Sequence, residues 1–327
     1  MIIKISIPGF WEGGSDLSQF LDNNGSMGSH RLVIDKNLKR ADAWVVIDGF
    51  DPDDSVCEVP SEMVFFVTAE QIHADDHYLG PKMGDFLAQF SSVHSPYAVD
   101  HPASYTSPPF LPWMVNSNHG SVYTAHERDF DYLSAYEPRE NKSGVSVICS
   151  TKTITPGHRT RLWFVKKLKQ HFGDNLTWFG NGVLPLAEKW DGLDPFIATI
   201  AIENRISPDI FTEKLFDPLL THTIPLYAGA PNIQDYFPLH KDWLIDPRNL
   251  PDAIGKVSRL LDVGPSNHEL VSLQKSRELV LGQHHYLRRI VEIAEQAQHG
   301  LPKTVELRPI PKPQGWWVSK IKRLLRA

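Results

Sequence analysis

The chain contains few cysteines and lacks a long apolar run. Of its 327 residues, only Cys57 and Cys149 are cysteines, too few for a disulfide-stapled secreted domain or a cysteine-rich zinc site. No apolar run approaches the roughly 20 residues that span a membrane, and residues 2–7 are too short for the apolar core of a signal peptide. We therefore expect a protein of a reducing compartment, located in the cytoplasm.

An excess of basic residues is also missing. The chain has 33 Lys and Arg against 39 Asp and Glu, a formal net charge of −6, whereas neutralising nucleic-acid phosphates requires a basic surface. We therefore predict that nucleic acid is not a partner. The apolar content of 41% and the charged content of 22% are ordinary for a globular protein, and 327 residues accommodate two domains of usual size.

Motifs for metals and nucleoside triphosphates are absent as well. His94, His101 and His119 do not have the spacing of metal ligands, and the adjacent pair His284-His285 is expected on the surface of a helix. The Gly-rich segment 9–14 lacks the Gly-Lys-Ser/Thr ending of a triphosphate-binding loop. We predict neither a metal site nor a required cofactor.

The chain does contain a series of short apolar runs separated by helical or loop segments. Such alternation predicts parallel sheets, in which ligands bind at the carboxyl ends of the strands. The predicted strands are residues 2–7, 43–47, 63–67, 145–150, 197–202, 224–227 and 243–246. Helical periodicity predicts further helices at residues 159–172, 250–261 and 267–296.

A polar segment at residues 137–144 separates two groups of predicted strands. It contains one proline and one glycine and is the best candidate for a linker. We therefore predict an α/β fold with a first domain over residues 1–140 and a second over residues 145–305. Residues 306–327 form a separate tail.

The second predicted domain is organised around residues 196–238. A strand ends there in Glu203-Asn204, and Thr212 is the predicted N-cap of a helix that begins with Glu213-Lys214. The free N–H groups of a helix start, together with a lysine, favour an anion such as phosphate. A strand and a turn around Gly229 follow, and glycine lets backbone approach a ligand closely. This stretch predicts a nucleotide site.

A second cationic site is predicted at the start of the helix at residues 159–172. Arg159 and Arg161 lie in its first turn, where positive charge is unfavourable against the helix dipole. A bound diphosphate would offset that cost, because guanidinium groups and the helix start would converge on it. We predict that this helix start contacts such an anion.

The motif at residues 196–238 resembles the donor-site signature of a known enzyme family. Its fixed positions are Glu203-Asn204, Thr212-Glu213-Lys214-Leu215, Ile224-Pro225-Leu226-Tyr227, Gly229 and Pro231-Asn232-Ile233. They resemble the α-1,3/1,4-fucosyltransferases of glycosyltransferase family 10, which take fucose from GDP-fucose, and most closely the anchorless bacterial type. The resemblance implies a GT-B architecture, two Rossmann-like domains with parallel sheets facing each other across a cleft. The first domain would bind the acceptor and the second GDP-fucose.

The resemblance also implies roles for single residues. Thr68-Ala69-Glu70-Gln71 resembles the family's Thr-Gly-Glu-Asn run, which makes Glu70 the expected catalytic base. Arg161, seven residues before Leu168 as in the family, and Lys214 would stabilise the diphosphate without a metal, and Glu213 would contact the ribose or the fucose ring. Further donor contacts are implied for Asn204, Thr212, Tyr227, Gly229, Gly180 and Gly182.

The implied activity is inverting transfer of L-fucose to a GlcNAc-containing glycan, with an α-1,3 linkage. Two alternatives stay open. Ile210 stands where the family has a tyrosine, which permits another nucleotide sugar as donor. The chain could also be an inactive, saccharide-binding relative.

The tail has a composition of its own. After Pro309, Pro311 and Pro313, the apolar residues Trp317, Ile321 and Leu324 fall on one helical face among basic residues. This pattern is typical of a helix that binds peripherally to an anionic membrane, here the inner membrane. The alternative is a tail that packs on its own protein or stays in solution.

Overall fold

Two parallel β-sheets, one on each side of the predicted linker, form the frame of the molecule. The computed structural model describes residues 1–8, 20–21, 26–69, 83–117, 128–297 and 300–309. Glu70 and the basic segment of the tail lie outside the described residues. Their predicted roles therefore stay predictions.

The first sheet is built from strands of the first 106 residues, with the apolar strands at its centre and an exposed strand at one edge. The strands of this part of the chain are β1 (Ile2–Ser6), β2 (Arg31–Val33), β3 (Ala43–Ile47), β4 (Val56–Val59), β5 (Val64–Val67), β6 (Ser92–Ser95) and β7 (Ser104–Thr106). Six of them pair in the order β2-β1-β3-β5-β6-β7, with parallel registers such as Ile5 opposite Val45. Every residue of β3 is buried, as expected of a central parallel strand covered on both faces.

The second sheet repeats this plan with four strands. They are β8 (Val145–Ile148), β9 (Leu176–Phe179), β10 (Ala198–Ile202) and β11 (Ile224–Ala228), in the order β11-β10-β8-β9. Each sheet thus has its second strand on one side of the first and its third on the other, which is the doubly wound topology. The predicted α/β fold of the GT-B class is confirmed by these two parallel sheets.

Seven helices lie in the described residues. They are α1 (Gly84–Leu87), α2 (Phe130–Ala135), α3 (Pro156–Phe172), α4 (Glu213–Leu220), α5 (Leu250–Val263), α6 (Asn267–Leu281) and α7 (Tyr286–Gln296). Thr155, Thr212 and Ser266 cap α3, α4 and α6 with their side-chain oxygens, which satisfies N–H groups that have no partner within the helix.

The single helix predicted at residues 267–296 is wrong, because the chain turns between α6 and α7. Gly282 ends α6, and the ring of His285 accepts a hydrogen bond from the backbone N–H of Leu287 at 3.2 Å to start α7. The predicted surface position of His284 and His285 is wrong as well, since both are buried. Burial lowers the pKa of His284 to about 4 and that of His285 to about 3.

The predicted strand at residues 243–246 is also wrong. Lys241–Trp243 forms a 3₁₀ turn, and a single bridge joins Leu244 to Tyr227. The indole N–H of Trp243 is buried and donates to Glu269 Oε1 at 2.9 Å. Trp243 therefore joins this turn to α6.

The last part of the described chain returns to the first half. β12 (Lys303–Glu306) pairs antiparallel with β4. In α7, the buried Arg289 donates to the carbonyl oxygens of Pro108 at 2.6 Å and Pro109 at 2.9 Å. These contacts fasten the end of the second half to the segment that leaves the first sheet.

No helix in the described ranges is both long and apolar enough to cross a membrane.

Candidate functional site

A cavity opens at the carboxyl ends of β8 and β10, where the strand order of the second sheet reverses. Chain segments leave these two strands in opposite directions, and such switch points are the usual ligand sites of doubly wound sheets. The charged residues that line the cavity are Lys152, Arg161, Lys189, Glu213, Lys214 and Asp217. Four cations against two carboxylates favour an anionic ligand that also carries polar groups.

The end of β10 is joined to the start of α4 by one buried carboxylate. Glu203 is 2% exposed, and its Oε1 accepts hydrogen bonds from the backbone N–H of Thr212 at 2.8 Å and from its hydroxyl at 2.9 Å. Glu203 therefore fixes the loop after the strand. Burial raises the pKa of Glu203, against the effect of Lys214.

The first turn of α4 carries a close ion pair at the cavity. Lys214 Nζ lies 2.7 Å from Glu213 Oε1 and 3.8 Å from Glu203 Oε2. Although burial acts in the opposite direction, the two glutamates raise the pKa of Lys214. Burial likewise opposes the shift of Glu213, yet Lys214 and Lys189 lower its pKa to about 2. Both groups are therefore charged at neutral pH.

Because α3 begins at Pro156, earlier than predicted, Arg161 lies in its second turn. From there it reaches the cavity and meets the predicted donor residue Asn204. Its Nη1 donates to Asn204 Oδ1 at 2.6 Å across 43 residues of sequence. Arg161 is 8% exposed, and its Nε has no hydrogen-bond partner in the described part of the chain. Arg161 also interacts with the thiol of Cys149. A buried guanidinium whose partners are neutral is costly by itself, and an anion in the cavity would complete its environment.

The close contact between α3 and the end of β10 depends on a glycine. A Cβ atom added at Gly157 would lie 2.1 Å from the carbonyl oxygen of Asn204. No other residue fits there without moving the helix. Gly157 thus sets the distance between the two segments that carry Arg161 and Asn204.

A second ion pair lies deeper in the cavity and connects it to the first half of the chain. Lys189, in the 3₁₀ turn Lys189–Gly192, places Nζ 3.0 Å from Asp217 Oδ2 and 4.0 Å from Glu213 Oε1. The other oxygen of Asp217 accepts the backbone N–H of Met114 at 2.7 Å. Burial raises the pKa of Asp217 to about 6, with Lys189 opposing the shift.

The structure thus brings five of the predicted site residues together. Arg161, Glu213 and Lys214 line the cavity, Asn204 bonds to Arg161, and Thr212 caps α4. Four further residues that were predicted to bind the donor do not occur among the described lining residues, namely Gly180, Gly182, Tyr227 and Gly229.

Those four residues have packing partners of their own. A Cβ at Gly180 would lie 2.3 Å from the Cys149 carbonyl oxygen, and one at Gly229 would lie 1.9 Å from the hydroxyl of Tyr227. Tyr227 is 1% exposed, and its hydroxyl accepts from the backbone N–H of Ala230 at 3.3 Å. Asn181, between the two glycines Gly180 and Gly182, does line the cavity.

Ile210, where the resembling family has a tyrosine, is fully buried and does not line the cavity. The preceding Asp209 has a positive φ of 63°. Its carboxylate accepts the Asn232 side-chain amide at 2.8 Å and the Tyr236 hydroxyl at 2.6 Å. The loop between β10 and α4 is therefore anchored to the turn after β11.

Sequence reasoning missed several residues at the cavity, namely Lys152, Gly157, Asn181, Lys189 and Asp217. The glycine after Pro156 in a first helical turn was a usable signal, because glycine there is unfavourable unless space demands it. Asp217 offered no such signal, since an acid in mid-helix is ordinary. In the described residues no three His, Cys, Asp or Glu side chains are grouped so as to hold a metal ion.

Comparisons with known proteins add a local similarity. No family model matches the chain. It is 37% identical over 65 residues to the GDP-fucose protein O-fucosyltransferase 3 of Xenopus laevis, a match that covers 18% of this chain and 14% of that protein. It is 38% identical over 64 residues to the alpha-(1,3)-fucosyltransferase B of Drosophila melanogaster, again covering 18% and 14%.

A crystal structure of an alpha1,3-fucosyltransferase with GDP-fucose aligns over 97% of this chain and 89% of its own, with 14% identity and a TM-score of 0.45. The chain spans 14% of the length of the curated relatives described above. Within that span, it is similar to fucosyltransferases.

Proposed function

We propose that this protein transfers L-fucose from GDP-fucose to a glycan acceptor. The observation that carries the proposal is the cavity at the switch point of the second sheet, where Arg161 and Lys214 converge from the starts of two helices. This arrangement suits a diphosphate, because guanidinium, ammonium and helix dipoles all favour negative charge. The local similarity to fucosyltransferases supports fucose as the sugar.

The proposed reaction is a single displacement at the anomeric carbon. The acceptor oxygen forms a bond to C1 of fucose, the bond from C1 to the phosphate oxygen breaks, and GDP leaves with the electron pair. Arg161 and Lys214 stabilise the charge that grows on the leaving diphosphate, and Glu213 contacts the ribose or the fucose ring. The configuration at C1 inverts.

The acceptor proton needs a base, and we assign that role to Glu70. Proton removal by a positioned carboxylate typically contributes roughly two to four orders of magnitude in rate. Glu70 follows the end of β5 by three residues, and the described neighbour Ala69 donates its backbone N–H to Asp48 Oδ1 at 2.9 Å. In this proposal, the first half binds a GlcNAc-containing acceptor, the product is α-1,3-linked and no metal is required.

The proposal is tested by incubating the protein with GDP-fucose and a panel of GlcNAc- and galactose-containing glycans. The expected result is an acceptor whose mass increases by one fucose, with no product for Glu70→Ala. Product formation that is unchanged in Glu70→Ala and in Lys214→Ala would overturn the assignment of the site. Linkage analysis of the product then decides whether it is α-1,3.

Donor choice requires a separate panel because of Ile210. If hydrolysis or transfer occurs with another nucleotide sugar and not with GDP-fucose, the site is that of a different transferase. If the protein binds glycans yet turns over no donor, it is an inactive relative. Since Ile210 does not line the cavity, we expect GDP-fucose to be preferred.

A further inference from the structure

Asp217 lies one helical turn after Glu213, so both carboxylates project from the same face of α4. It is 2% exposed, and both of its oxygens are used. Oδ2 accepts from Lys189 Nζ at 3.0 Å, and Oδ1 accepts from the backbone N–H of Met114 at 2.7 Å. One carboxylate therefore joins α4, the 3₁₀ turn and the segment 113–117 that arrives from the first half.

Lys189 is held at both ends. The backbone N–H of Lys189 donates to the carbonyl oxygen of Ser117 at 2.9 Å. The next residue, Trp190, donates its backbone N–H to the carbonyl oxygen of Val115 at 3.0 Å. The ammonium nitrogen of Lys189 lies 3.0 Å from Asp217 Oδ2 and 4.0 Å from Glu213 Oε1. Because a lysine side chain has four rotatable bonds, the shorter of these two ion pairs decides where the charge sits.

We propose that Asp217 is a positioning residue for donor binding. It fixes Lys189 beside Glu213, so that Glu213 is held between two ammonium groups and presents its carboxylate to the donor. The inference rests on the proposed function, because it concerns the same cavity. Asp217 acts through Lys189 and need not touch the donor itself.

The order of the two titrations gives this arrangement a measurable signature. The charged groups that face Asp217 are Lys189 from the 3₁₀ turn and Glu213 on its own helix, and the segment 113–117 contributes the Met114 N–H. Burial raises the pKa of Asp217 to about 6, whereas Glu213 stays ionised with a pKa of about 2. Acidification below pH 6 therefore neutralises Asp217 first and releases Lys189 while Glu213 remains charged.

The test measures GDP-fucose binding by calorimetry without acceptor, at pH 7.5 and pH 5.0. GDP-fucose is the proper probe, because a free terminal phosphate itself titrates near pH 6. Four proteins are compared: wild type, Asp217→Asn, Lys189→Met and the double variant. Asp262→Asn, on the exposed surface of α5, is the matched control and should bind as wild type does.

We expect Asp217→Asn to bind about tenfold more weakly than wild type at pH 7.5, since one charge-assisted hydrogen bond is lost. At pH 5.0 the two should bind alike, because wild-type Asp217 is then largely neutral. The double variant should bind no more weakly than Lys189→Met, as expected of two residues that act as a unit. The inference would be overturned if Asp217→Asn bound GDP-fucose with unchanged affinity at pH 7.5. It would also be overturned if the affinity loss of the double variant equalled the product of the losses of the two single variants.

A second measurement separates this inference from the proposed function. Amide hydrogen exchange at residues 113–117 needs no ligand, and we expect it to be faster in Asp217→Ala than in wild type. If wild type binds no GDP-fucose, the proposed function fails and exchange alone decides the positioning role. Unchanged exchange would overturn that role whatever the donor.

Discussion

The two helices that begin at the cavity differ in how their charges are balanced. The first turn of α4 is neutralised from within, since Lys214 is paired with Glu213 and Glu203. The helix α3 contains no acidic residue, and Arg161 interacts with two neutral groups, the Asn204 amide and the Cys149 thiol. The charges at the start of α4 are thus paired within the protein, whereas the cation of α3 has no negatively charged partner of its own. This difference predicts which variants should lose stability and which should lose only activity.

The largest effect is expected where the balance is internal. Lys214→Met leaves the fully buried Glu203 and the neighbouring Glu213 without their common cation. Removing one partner of a buried ion pair typically costs about 3 to 5 kcal/mol of unfolding free energy. Urea unfolding at pH 7 measures this, with Lys166→Met on the exposed face of α3 as control. Equal stability of the two variants would contradict the comparison.

Acid should reveal the same balance through Glu213. Its pKa is lowered from 4.5 to about 2, so its stabilising contribution is complete above pH 4.5 and is lost as pH falls towards 2. The shift corresponds to about 3 kcal/mol at neutral pH. Glu213→Gln should therefore lose less stability than wild type between pH 5 and pH 3, as measured by urea unfolding. Parallel pH curves for the two proteins would argue against the ion pair.

At the α3 start, the expected loss concerns activity. Arg161→Met leaves no buried carboxylate without a partner, so the melting temperature of the variant should change little. Its kcat/KM for GDP-fucose should fall about 100-fold, as for the loss of one donor that stabilises transition-state charge. Arg159→Met is the matched control because Arg159 is an exposed arginine two residues earlier in the same helix, and less than a threefold change is expected there. A similar loss in both variants would show that general charge, and not the site, matters.

The smallest expected effect is steric. Gly157→Ala places a Cβ against the Asn204 carbonyl at 2.1 Å, and the shift of α3 should cost about 1 to 3 kcal/mol. Gly255→Ala in α5 meets nothing within 4 Å and should instead stabilise the protein by about 0.5 to 1 kcal/mol. Urea unfolding of both variants gives the comparison. If both substitutions changed the unfolding free energy in the same direction, the close contact at Gly157 would not restrict the position of α3.

Local patterns were sufficient to predict the elements of the site but not their connections. The strand that ends at Glu203, the cap at Thr212 and the cation at Lys214 follow from adjacent residues, and each lies where the sequence predicts it. The pairing of Asp217 with Met114 joins positions 103 residues apart, and no local periodicity encodes such a contact. The break before α7 is not predicted because apolar residues at helical spacing continue across it. Gly282 at the end of α6 and the buried cap at His285 mark the break in the structure.

The pairing of β12 with β4 bears on how the chain folds during synthesis. The strand β4, which lies outside the six-stranded sheet, gains its strand partner from residues 303–306, which leave the ribosome long after the first sheet could form. Until then, that strand exposes unpaired backbone groups of the kind that recruit other strands. Residues that follow the second sheet in sequence therefore complete the pairing of a strand near the start of the chain. Truncation before residue 303 should leave β4 without this partner and make the protein prone to aggregation.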